Sequence, residues 1–63
     1  MENLNKPVYQ NGEIVGTVTI ESKLSIYANI NGKTHRFYKQ LKNGFLVTKK
    51  QLPLFDEITN YTI

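Results

Sequence analysis

The chain lacks cysteine and tryptophan and has one histidine among its 63 residues. Without thiols it can build neither a disulfide framework nor a Cys/His zinc site, the usual staples of domains this small. No stretch of 18 consecutive apolar residues is available to span a bilayer. The opening Met1-Glu2-Asn3-Leu4-Asn5-Lys6-Pro7 has no apolar run of the signal-peptide kind. The expectation is a soluble cytoplasmic protein with no membrane partner. Catalytic groups are scarce as well: the serines are Ser22 and Ser25, and neither stands in a motif with His35 and an acid. The acids Glu2, Glu13, Glu21, Asp56 and Glu57 are scattered apart from the last pair, which points opposite ways in extended chain. No phosphate loop, dinucleotide fingerprint or metal-spaced set of ligands occurs. A non-enzyme without cofactor or metal is expected.

What is present is modest charge and strong patterning. Eight Lys and Arg against five acids give a formal charge of +3, which favours acidic partners slightly. The frequent Asn, Lys, Ile and Tyr suit an AT-rich coding sequence, such as that of a low-GC bacterium or one of its mobile elements. A chain of this length buries only about 60% of the surface its unfolded form exposes, so one small domain over residues 1–63 is expected, with 1–6 the loosest part.

The dipeptide Asn-Gly occurs three times, at Asn11-Gly12, Asn31-Gly32 and Asn43-Gly44. A type I′ turn needs positive φ at both central residues, which Asn tolerates and Gly adopts freely, so each pair predicts a hairpin. A fourth reversal is expected at Glu21-Ser22-Lys23. Strands are predicted over about 7–10, 13–20, 24–30, 33–40 and 45–49. Setting Ile20 opposite Leu24 brings Val18 to Ile26, Gly16 to Ala28 and Ile14 to Ile30. The Asn31-Gly32 turn independently sets Ala28 opposite His35 and Ile26 opposite Phe37. The predicted buried face is then Ile14, Gly16, Val18, Ile20, Leu24, Ile26, Ala28, Ile30 and Phe37, with Tyr9 beside Ile14.

Beyond Gln40 the two faces stop separating. A turn at Asn43-Gly44 pairs Leu41 with Leu46 and Lys42 with Phe45, and consistency requires a bulge or sharp bend between Lys39 and Lys42. The tail from Leu52 reads either as a short helix beginning at Pro53 or as a single helical turn over 53–57 followed by a strand; its β-branched content favours the strand. The predicted fold is mainly β: a small, strongly bent antiparallel meander of five or six strands, an SH3-like or partly open barrel, with a short helical turn near the C-terminus.

The opposite sheet face carries the functional expectation. The same register aligns Val15 with Asn29 and Thr34, Thr17 with Tyr27 and Arg36, and Thr19 with Ser25 and Tyr38. A guanidinium beside two phenol rings offers stacking planes for bases and a charge for phosphate. Lys39, Lys42, Lys49 and Lys50, with Lys33, would extend a positive track. The expected binding residues are therefore Tyr27, Arg36, Tyr38, Lys39, Lys42, Lys49 and Lys50, with nucleic acid the first partner. The alternative is a protein-interaction module or inhibitor, or a self-associating homodimer, since Tyr and Arg also dominate protein-binding hot spots. The plainer reading is a solvated sheet face, where Tyr, Thr and Arg stabilise cross-strand pairs and Lys protects edges. His35 reads as a rim histidine bonded to backbone, with a ligand or pH-sensing role as the alternative.

Overall fold

The computed structural model describes residues 2–49 and 56–63. They form β1 (Pro7–Gln10), β2 (Glu13–Glu21), β3 (Ser25–Ile30), β4 (Lys33–Tyr38), β5 (Leu41–Lys42), β6 (Phe45–Lys49), β7 (Asp56–Ile58) and β8 (Tyr61–Thr62). Five strands make a strongly curled antiparallel half-barrel in the order β4-β3-β2-β1-β8, and three make a small sheet in the order β5-β6-β7. Among the described residues there is no helix, so none is long and apolar enough to cross a membrane. The helical turn expected over 53–57 falls mostly outside the described residues; its last two, Asp56 and Glu57, belong to strand β7.

All three Asn-Gly pairs adopt the conformation their composition demands. Asn11, Asn31 and Asn43 have φ of 54°, 54° and 55°, and Gly12, Gly32 and Gly44 follow at 80°, 83° and 84°. Both central residues are left-handed, and the turn twist then matches the twist of the flanking strands. Tyr9 pairs with Ile14, and the whole β3–β4 ladder follows the predicted register from Ile30 opposite Lys33 to Ser25 opposite Tyr38. Leu41 opposite Leu46 and Lys42 opposite Phe45 also stand as the turn requires. The bend that consistency demanded is the break at Lys39–Gln40, between β4 and β5.

The predicted buried face needs correction along β2. Ile14, Ile20 and Leu24 are exposed at 64%, 55% and 73%. The cause is two register shifts: the extra residue Val15 separates the pairs Tyr9–Ile14 and Val8–Gly16, and the extra residue Thr19 separates Val18–Ala28 from Ile20–Tyr27. Each bulge moves the following side chain to the other face. Between the bulges Gly16 and Val18 look inward as expected, but they pair with Ile30 and Ala28, two residues along from the predicted partners. Leu24 lies in the reversal before β3.

The core is Val8, Val18, Ile26, Ala28, Ile30, Phe37 and Leu46, with Val15, Tyr61 and Ile63 packed on it. Strand β6 supplies Leu46 from the second sheet, and its carbonyl accepts both the Thr59 amide at 2.8 Å and the Thr59 hydroxyl at 2.8 Å. Those two hydrogen bonds tie the segment leading into β8 to β6. His35, Phe37 and Tyr61 form an aromatic trio: His35 stacks on Phe37 at 6.1 Å, and Phe37 meets Tyr61 edge-on at 5.9 Å.

The second bulge turns Glu21 inward, where it is buried opposite Ile26. The Asn3 amide and side chain donate to its two oxygens at 3.2 Å and 2.9 Å, and the Lys39 ammonium lies 3.1 Å from Oε2. Burial, the largest single influence, pushes the carboxyl up, but Lys39 and the two Asn3 donors together hold it below its ordinary value. Residues 2–6 run alongside β2, with Asn5 donating to the Val18 carbonyl at 3.0 Å and Lys6 accepting from Val18 at 2.9 Å.

Candidate interaction face

The outer face of the β2–β3–β4 ladder is built in rows. Because the Asn31-Gly32 turn fixes the β3–β4 register, Tyr27 stands directly opposite Arg36, and Ser25 opposite Tyr38, two residues further along the same face. The expected neighbours on β2 are replaced. Thr17 sits beside Asn29, and Ile20 takes the place next to Tyr27. The row across three strands is therefore Ile20, Tyr27 and Arg36: apolar, aromatic and cationic.

Local bonds steady this row. The Thr19 hydroxyl donates to the Tyr27 carbonyl at 3.3 Å, which anchors the bulge that rotates Ile20 outward. Arg36 Nε and Nη2 both approach the Ser25 hydroxyl at 3.4 Å, so the guanidinium leans over a buried serine and remains exposed itself. Ser25 is fixed in turn by the β2–β3 reversal, where its amide bonds the Ser22 hydroxyl at 3.2 Å and its carbonyl accepts from the Ser22 amide at 2.8 Å.

Two clefts flank Tyr38. One of about 390 Å³ is lined by Arg36, Phe37, Tyr38 and Thr48. The other, of about 360 Å³, is lined by Lys23, Leu24, Tyr38, Lys39 and Gln40. Tyr27, Arg36 and Tyr38 are thus brought together as the sequence implies, and Lys39 adjoins them. Its ammonium, however, is committed to Glu21 and its charge is compensated there. Lys42 sits exposed on β5 at the Asn43-Gly44 hairpin. The backbone of Lys49 ends β6 opposite Asp56, and Lys50 lies outside the described residues.

Ile20, Lys23, Leu24 and Thr48 belong to the face or its clefts and were not anticipated. Ile20 was hidden by perfect alternation, because Ile14, Gly16, Val18 and Ile20 read as one inward row. His35 lies on the core face opposite Ala28, with its ring against Phe37 and Tyr61. This geometry makes it a half-buried packing residue. Among the described residues, no group of three or more His, Asp or Glu side chains is placed to hold a metal ion. Comparison with family models, with curated proteins and with solved structures finds no match to this chain.

Proposed function

We propose that this domain is a non-enzymatic binding module that engages a protein partner through the row Ile20, Tyr27 and Arg36, together with Tyr38. The observation that carries this reading is the bulge at Thr19, which holds Ile20 at 55% exposure beside Tyr27 and Arg36. Exposed apolar and aromatic side chains gathered with an Arg are the usual composition of protein-binding hot spots. The compensation of Lys39 by Glu21 also weakens the positive track that nucleic acid would need. The reading takes the module as cytoplasmic. The half-barrel enters only as architecture, because shape of this kind carries no function by itself.

Nucleic acid remains the second reading, favoured by Tyr27 and Tyr38 on one face with Arg36 in the row of Tyr27. The two are separated by affinity capture from cell extract with and without nuclease, at low and high salt. Under the proposal a defined protein is retained after nuclease treatment and at high salt. It is lost with Tyr27→Ala or Ile20→Lys. Bound material that disappears with nuclease and falls steeply with salt, while Arg36→Ala matters more than Ile20→Lys, would replace this reading with nucleic-acid binding.

A further inference from the structure

The cleft of about 390 Å³ is lined by three consecutive residues, Arg36, Phe37 and Tyr38. Successive side chains of a strand point to opposite faces, so three in a row share a cleft only through the strand's edge. Among the described residues no strand is hydrogen-bonded to that edge, which is open in this sense: β4 is the outermost strand of the half-barrel. The residues flanking a two-residue hairpin turn exchange both backbone bonds, and bonded pairs then alternate along the ladder. Lys33, His35 and Phe37 therefore direct their N–H and C=O groups to β3. The same alternation is visible one step further on, where the Lys39 amide donates to the Leu24 carbonyl at 3.0 Å. Thr34, Arg36 and Tyr38 direct theirs away from β3, along the open edge, and Arg36 and Tyr38 do so into the cleft. Thr48 of β6 forms the far wall. Strand β5 is too short to cover this side of β6, since it pairs only with Phe45 and Leu46.

We propose that the open edge of β4 takes an extended acidic segment of a partner protein by strand addition, in the cleft between β4 and β6. This rests on the protein-binding reading above and names its mode. Three outward residues, each with one donor and one acceptor, give main-chain affinity, and the side chains on the two faces give selectivity. An added strand sets alternate side chains opposite Arg36 on the outer face, where an acid is complementary. The intervening side chains turn inward beside Phe37 and Thr48. The charge on β4 also decides against a second copy as occupant. The strand Lys33-Thr34-His35-Arg36-Phe37-Tyr38 holds Lys and Arg and no acid, so pairing it with itself sets like charges together.

The test uses the full chain, isotope-labelled for NMR hydrogen exchange, and two capped seven-residue probes, one alternating Glu with Val and the other alternating Lys with Val. The Glu probe is expected to bind with an affinity that weakens as salt rises. At about nine-tenths saturation it slows exchange of the Thr34, Arg36 and Tyr38 amides about tenfold, while His35 and Phe37 change little. Arg36→Glu is expected to transfer the preference to the Lys probe. Shifts confined to Ile20 and Tyr27, with the three edge amides unprotected, would overturn strand addition and leave the face reading standing. Protection of the edge amides with no effect of Tyr27→Ala on a natural partner would do the reverse. Failure of both probes to bind, or protection of the same amides without peptide in a dimer seen by light scattering, would also overturn the proposal.

Discussion

Replacing Gly16 with alanine tests the account of β2 most directly. A Cβ built at Gly16 overlaps the Asn29 carbonyl oxygen, and lies 2.9 Å from Ile30 Cγ1 and 3.0 Å from the Asn29 carbonyl carbon. Two of these three atoms are backbone of β3, the strand hydrogen-bonded to β2, so no side-chain rotation relieves them. Inserting a methyl into such a site costs about 1–3 kcal/mol, and the upper part of that range applies because backbone must move. Alanine recovers about 0.4–1 kcal/mol by restricting the unfolded chain. The net loss is about 2 kcal/mol, which in a domain of this size lowers Tm by roughly 8–16 °C. Thermal unfolding followed by far-UV circular dichroism measures it. Gly12→Ala is the control: its φ of 80° is strained for alanine, but nothing lies within 4 Å, so about 1 kcal/mol and roughly half the shift are expected. An unchanged or raised Tm for Gly16→Ala would refute the close approach of β2 and β3.

Three further outcomes are expected. Lys39→Ala removes the charge that offsets the burial of Glu21. Because the Glu21 carboxyl is held low in the folded state, its contribution is full above the unfolded value of 4.5 and is lost as pH falls through the lower folded value; in Lys39→Ala, acid unfolding monitored by circular dichroism should begin at higher pH than in the parent. Phe37→Ala removes a core ring that is 2% exposed and that meets His35 and Tyr61. Its cost of about 3–5 kcal/mol is comparable with the whole stability of so small a core, so urea titration should find it largely unfolded. Leu24→Lys, at a site 73% exposed, should change stability by no more than about 0.5 kcal/mol, whereas a loss like that of Phe37→Ala would restore Leu24 to the core.

Where turns dictate geometry, the fold was legible. Asn31-Gly32 admits one tight turn type, and that alone places Tyr27 opposite Arg36 and Ser25 opposite Tyr38. The arrangement of the candidate face was therefore readable on β3 and β4. On β2 it was not, because a bulge inserts a residue without changing the residue types around it. Val15 and Thr19 are ordinary strand formers inside an unbroken alternation. What makes the second bulge tolerable is remote in sequence: Glu21 turns inward only because Asn3 and Lys39 meet it there. Neither partner is marked by any local pattern. The clefts beside Tyr38 were equally hidden, since they depend on how the break at Lys39–Gln40 aims β6 relative to β4.

The pairing of β1 with β8 joins Tyr9 to Thr62 and Gln10 to Tyr61, the most widely separated partners in the ladder. Hairpins closed by two-residue turns zip early, whereas this seam must wait for nearly the whole chain to be gathered. Resting on two residue pairs, it should also be the first place the half-barrel unzips. The amides along it should then exchange with solvent through a local opening that leaves the β3–β4 hairpin shut.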